Sequence, residues 1–392
     1  MHAQKLLHKL LKKSAVIGHE KRLNCLLRAV ESVVHQGKLS LTSIGRHLKG
    51  TAKVKHKIKS VDQLLGNEQL MNEREGIYDL LSATLLGGLK EMLVVIDWSP
   101  CGSHAYQLLK ASVVFQGRTM TLYEEVHPEK KLGNFKVHQQ FLSRLKAKIP
   151  AGCPVIVATD AGFRTEWFEL VLELGWDFLG RVRSNMLFQA EGSEAWISCL
   201  SLYSKAKEGV KVVGNVLLAK ARSLPCTMYI YYEKKANKEK NKVKRKILSG
   251  KKEKDYGRAN RECWLLVTSL TGGLKSANQM IYRYRKRMRI EHEFRDTKNS
   301  EWGIGLEYSR TKEVARLQIL LLIGYLALFL LWVIGLAAEE KKLQYHYQAN
   351  TIKKYRVLSL VYLGLQIILH DPDCINELDI INSFNKVRKL CI

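Results

Sequence analysis

Ile319 to Ala338 contains no charged side chain, and this run limits what the chain can fold into more than any other stretch. At 1.5 Å per residue it makes a helix about 30 Å long, enough to cross a bilayer or to run through the middle of a protein core. Five of its residues, Gly324, Ala327, Gly335, Ala337 and Ala338, are small, as suits close approach to other backbone. No second run of this kind exists, and both flanks continue as charged helical sequence. A helix buried in protein is therefore the expectation and a membrane span the alternative.

What would surround such a helix follows from bulk properties. At 392 residues the chain is long for one domain, so two or three are expected, and 46% hydrophobic residues are ample for a sizeable core. The formal charge is +27 and the pI about 9.7. Charge on that scale says nothing about fold but predicts attraction to polyanions, nucleic acid first and anionic membrane surface second. Eight cysteines are scattered without a Cys-x-x-Cys pair, which argues against a disulfide framework or a zinc site and suits a reducing, cytoplasmic compartment. The N-terminus alternates Leu6, Leu7, Leu10 and Leu11 with His8, Lys9, Lys12 and Lys13, an amphipathic helix without the unbroken apolar core of a signal peptide.

In chain order, residues 1 to about 85 read as all helical. A short helix over Leu39–Leu48 is followed by a strongly basic segment carrying Lys53, Lys55, Lys57 and Lys59. That layout resembles a DNA-reading helix pair; a basic bundle with solvated charges is the bland alternative. From residue 91 the period changes. Met92–Ile96 is a β-branched strand expected to stop at Pro100, with Asp97 at its carboxyl end. Segments 108–115 and 119–126 flank Gln116-Gly117 as a hairpin, and 134–148 has helical spacing. A second buried strand, 154–159, ends in Asp160, with Gly162 allowing a tight turn into a helix near 166–174, and 177–182 is a further strand. Residues 184 to about 275 interrupt this with strand-like pieces around a lysine-rich tract from Lys234 to Lys254, read as an exposed loop. Residues 277–298 read as one basic helix, and 340–392 as a helical tail.

Several chemistries lose ground. Thr271-Gly-Gly-Leu-Lys275-Ser276 lacks the glycines of a phosphate loop, and Gly303-Ile-Gly305 follows no strand. No His-Glu-x-x-His zinc motif and no Gly-x-Ser-x-Gly elbow occur. What remains is three acids singled out by position: Asp97, Asp160 and, on the basic helix, Glu291. Read at about 100° per residue, Tyr284, Arg287, Glu291 and Lys298 fall within roughly 60° of one another. One face thus carries a carboxylate between phenolic and cationic groups. The bland reading pairs Glu291 with Arg287 or Lys298, worth a few tenths of a kcal/mol, on the order of 0.3. The sharper one makes the three carboxylates ligands for Mg²⁺, with Mn²⁺ a possible substitute, since phosphodiester chemistry uses paired divalent ions and magnesium takes few protein oxygens.

These residues resemble a known family, the bacterial insertion-sequence DDE transposases of the group marked by a Tyr-x2-Arg-x3-Glu-x6-Lys signature. Tyr284, Arg287, Glu291 and Lys298 match its spacings, and Val-Ile-Asp97-Trp and Ala-Thr-Asp160-Ala-Gly-Phe match the contexts of its first two acids. The resemblance implies an α/β fold: an RNase H-like catalytic domain (86–338) with a β-rich insertion (about 184–275), an all-helical N-terminal DNA-binding domain (1–85), and a helical C-terminal region (339–392). It implies that the apolar helix belongs to the core. It also implies cut-and-paste transposition, with Asp97, Asp160 and Glu291 as catalytic, metal-binding acids and a hairpin intermediate. Tyr284, Arg287 and Lys298 would hold phosphates, Trp264 would stack on a flipped base or else pack in its strand, and two protomers would pair double-stranded DNA ends. Other readings are an RNase H-like nuclease without strand transfer, a non-catalytic DNA-binding repressor derived from such an enzyme, and a membrane-associated basic protein.

Overall fold

A computed structural model describes residues 2–36, 38–102, 105–115, 118–183, 186–204, 206, 208–233 and 263–389. The lysine-rich tract and the Gln116-Gly117 turn lie outside the described residues. The chain divides into two compact units, Met1–Cys153 with Met288–Ile392, and Pro154–Arg287. These limits differ from the expected divisions at 85 and 338.

The first unit opens with five helices: α1 (His2–Lys13), α2 (Glu20–Gln36), α3 (Leu41–His47), α4 (Val54–Leu65) and α5 (Glu68–Leu86). Ser40 caps α3 and Asn67 caps α5, each side chain accepting a backbone N–H of the first turn. The basic segment and the apolar run behind it form the single helix α4. It crosses α3 so closely that a Cβ on Gly45 would stand 2.6 Å from Ile58 Cα. Three antiparallel strands follow in the order β3-β2-β1: β1 (Met92–Cys101), β2 (Tyr106–Phe115) and β3 (Arg118–Pro128). Here β1 departs from expectation. It runs through Pro100, paired with Gln107, to Cys101, so Asp97 sits in mid-strand. Proline's φ suits extended chain and its cost is only one ladder donor. Helix α6 (Phe135–Lys148) is capped by Asn134.

The second unit is built on strands in the order β4-β5-β10-β9-β8-β6-β7. Strands β4 (Val155–Thr159) and β5 (Asp177–Val182) are parallel and joined through α7 (Thr165–Glu173). Gly180 of β5 leaves room for Phe168 of α7, whose ring would meet an added Cβ at 2.3 Å. Then come β6 (Leu187–Ala190), β7 (Trp196–Ser198), α8 (Leu200–Tyr203), β8 (Gly209–Leu218), β9 (Leu224–Tyr232), β10 (Trp264–Thr268) and α9 (Leu274–Arg287). The strand-like pieces expected between 184 and about 275 include β8, β9 and β10. The short, half-exposed β6 and β7 carry no clear alternation and were not expected.

The chain returns to the first unit with α10 (Arg289–Lys298), α11 (Val314–Glu340), α12 (Gln344–Tyr347), α13 (Leu360–His370) and α14 (Glu377–Lys389). The apolar run is α11, and its most apolar window is wholly buried, enclosed by α2, α5, α13, α14 and β3. Its glycines show how tightly. A Cβ on Gly335 would stand 1.9 Å from the Leu360 carbonyl oxygen, and one on Gly364 would stand 2.0 Å from that of Leu331. The α11–α13 crossing is backbone against backbone, as the small residues implied. It is the central helix of this unit.

Candidate active site

The expected single helix over 277–298 is two helices. Helix α9 ends at Arg287 and α10 starts at Arg289; Met288 between them keeps φ −59° and ψ −12°, nearer a 3₁₀ turn than an α turn. Tyr284 and Arg287 therefore close one helix while Glu291 and Lys298 lie on the next. The two helices are fixed by different means, α9 by Ala277, Met280, Ile281 and Tyr284, and α10 by Ile290, Phe294 and two buried acids, Glu293 and Asp296.

In the first unit, Asp97 is 7% exposed and its Oδ1 accepts the Trp98 backbone N–H at 2.8 Å. Trp98 in turn donates from Nε1 to His138 Nε2 at 3.1 Å. Burial, aided by the charge of His127, holds the His138 imidazole down to about 4, so it stays a neutral acceptor. Glu291 is exposed on α10. Lys298 is half-buried, donates to Ser99 Oγ at 2.5 Å, and lies over the Phe294 ring. Burial and the charge of Lys110 lower its ammonium, against the attraction of Cys101, Glu291 and Asp97. Ser99 lies two residues from Asp97 on the same face of β1, so Lys298 is held on the Asp97 face of that strand.

The second unit holds Asp160, Tyr284, Arg287 and Trp264. Asp160 directly follows β4, and its Oδ1 accepts the Gly162 N–H at 2.8 Å; a Cβ on Gly162 would crowd that oxygen at 3.0 Å. Tyr284 is buried, with its ring edge-on to Trp264 at 5.2 Å and the Arg287 guanidinium 5.6 Å from its centroid. Burial pushes the Tyr284 phenol up, opposed by Arg287 and Arg181 and reinforced by Asp160. Trp264 also lies 5.5 Å from Tyr231, half-buried rather than fully enclosed. On α4 and its N-cap, Lys53, Lys55 and Lys59 are exposed and Lys57 is half-buried, with Lys59 paired to Asp62 at 3.0 Å.

Among the described residues no three His, Cys, Asp or Glu side chains gather as a metal-binding group. Magnesium needs only one or two protein carboxylates when water and phosphate complete its shell. Asp97 on β1 and Glu291 on α10 each offer hard carboxylate oxygens of the kind that demand calls for.

Sequence reasoning missed Ser99, Lys110, Arg118, Glu293, Asp296 and Arg181. In Glu291-His-Glu-Phe-Arg-Asp296 the three acids look alike as letters. Only the spacing of Glu293 and Asp296, on the face of Ile290, Phe294 and Thr297, hinted that they turn inward.

Comparison of the whole chain with curated proteins gives no match. A family model, described as the transposase DDE domain, matches residues 93–330, from β1 into α11, and so encloses Asp97, Asp160 and Glu291. With more than half of its length matched, the chain belongs to the DDE-domain transposases.

Proposed function

We propose that this transposase cuts and pastes DNA through Asp97, Asp160 and Glu291, which hold magnesium (or manganese) at the scissile phosphate. The observation that supports the reading is Lys298 of α10, which donates to Ser99, two residues along β1 from Asp97 and on the same face of the strand. A half-buried ammonium held on the Asp97 face of β1 is suited to receive a phosphodiester. When bound, magnesium supplies charge neutralisation and a more acidic water. The protein's own groups do the rest. Lys298 acts as a point charge on a phosphate oxygen and Arg287 as a planar fork. Trp264, braced by Tyr284 and Tyr231, offers a face for a displaced base, where stacking is worth about 1–3 kcal/mol. Lys53, Lys55, Lys57 and Lys59 follow the backbone of the inverted-repeat ends.

Hydrolysis breaks the P–O3′ bond at the element's end: water oxygen joins phosphorus, and the 3′ oxygen leaves with a proton as a hydroxyl. That hydroxyl then attacks a phosphorus on the opposite strand, closing a hairpin and releasing the flanking DNA. A second water reopens the hairpin before strand transfer into target DNA. The catalytic region is RNase H-like, and the strand order β3-β2-β1 in one unit and the parallel β4-β5 pair in the other are compatible with it. The N-terminal helices read the ends, two protomers pair them, and the protein works in the cytoplasm.

The test uses a duplex built from the DNA flanking the reading frame, incubated with the full chain and Mg²⁺. Nicking at the ends by wild type, lost in Glu291→Ala, supports the reading. No nicking by wild type, or undiminished nicking by the variant, overturns it. Nicks without hairpin or joined products would favour a nuclease.

A further inference from the structure

Asp97, Lys110 and Glu124 are cross-strand neighbours. Asp97 on β1 pairs with Lys110 on β2, and Lys110 pairs with Glu124 on β3. Directly opposed residues point to the same face of a sheet, so the three form one row. Lys110 and Glu124 are almost completely buried and 3.0 Å apart, and Tyr78 donates to the other oxygen of Glu124 at 2.9 Å. Over this row lies α10. Glu293 reaches down to Lys110 at 3.7 Å and accepts from Thr119 at 2.8 Å and from Thr121. One turn on, Asp296 meets Arg118 at 2.6 Å, and Arg289 at the start of the helix donates to the Phe115 carbonyl at 2.7 Å.

Burying two carboxylates is an expensive way to seat a ten-residue helix. Apolar residues of similar volume often hold as well or better. Buried ions differ from them in register: an apolar face tolerates rotation and sliding, whereas two ion pairs one turn apart and a backbone anchor fix both. Metal-ligand sites need such fixing, within roughly 0.5 Å.

We propose that Lys110, through Glu124 and Glu293, is a positioning residue that holds the Glu291 carboxylate in register with Asp97 for a divalent cation. This rests on the reading of Asp97 and Glu291 as metal ligands. Lys110 and Glu293 touch neither metal nor DNA in this arrangement. Their effect is carried by the helix, since Glu291 lies two residues from Glu293, exposed and on the side of α10 that also carries Lys298, which reaches Ser99 of β1.

The test is an electron paramagnetic resonance titration of free Mn²⁺ with the full chain, alongside nicking of the flanking-DNA duplex. Glu293→Gln and Thr121→Val should each weaken Mn²⁺ binding by about tenfold or more, as loss of outer-shell partners does. Thr121→Ser, which restores the hydroxyl, should bind close to wild type, and nicking should need correspondingly more Mn²⁺. Thermal melting reports which variants are folded; if Glu293→Gln is not, the Thr121 pair decides. Wild-type Mn²⁺ affinity in folded Glu293→Gln or in Thr121→Val, with affinity lost in Glu291→Gln, would overturn the positioning role and leave the catalytic reading intact. Wild-type affinity in Glu291→Gln would overturn the catalytic reading and this inference with it.

Discussion

Helices α9 and α10 follow each other in sequence, are both strongly basic, and together carry the Tyr-Arg-Glu-Lys signature, yet they are seated in opposite ways. Helix α9 is held by an apolar and aromatic face, Met280, Ile281 and Tyr284 among others. Helix α10 is held largely by buried ions, Glu293 and Asp296 against Lys110 and Arg118. The difference separates two tasks. On the proposed reading, α9 carries Arg287, 8% exposed, and needs adhesion, which apolar area provides at about 25 cal/mol per Å². On the same reading, α10 carries a metal ligand and needs register, which charged pairs provide even where they add little net stability.

The largest effect should come from breaking an ionic anchor. Asp296→Ala strands the Arg118 guanidinium, 7% exposed, and should cost about 3–5 kcal/mol in urea unfolding. A cost below 1 kcal/mol would mean that the pair does not seat α10. Next is the neutral anchor behind Asp97. With its folded value near 4 against about 6.5 unfolded, His138 favours the neutral ring, so its contribution is complete above pH 6.5 and is lost as pH falls toward 4. The loss should be about 3 kcal/mol, read as the pH dependence of urea unfolding, and His138→Gln should flatten that window. Met280→Ala on α9 should cost about 2–3 kcal/mol, less than Asp296→Ala, because it leaves a cavity and no stranded charge; the reverse order would break the comparison. The smallest effect is that of Tyr284→Phe, about 1 kcal/mol in the same assay, since the ring stays against Trp264.

What could be read in advance follows the physics of each feature. Continuous β-branched runs gave β1 and β4, and the small residues of α11 announced its backbone-tight crossing with α13, because apolar pattern is local information. Pro100 misled, since a proline in extended chain sacrifices one donor without having to end a strand. The break at Met288 was invisible: no glycine or proline marks it, and helical periodicity runs straight through. Glu293 and Asp296 were missed for a related reason. A carboxylate is read as solvent-facing until its cation is known, and Lys110 and Arg118 lie more than 170 positions away in sequence.

The central claim is that three acids, from β1, from the turn after β4 and from α10, act as one catalytic set. Its most direct test is single-turnover nicking of the flanking-DNA duplex in Mg²⁺ by Asp97→Asn, Asp160→Asn and Glu291→Gln, each confirmed folded by melting. The account predicts that each falls by at least about a hundredfold. Any one of the three nicking at the wild-type rate would contradict it.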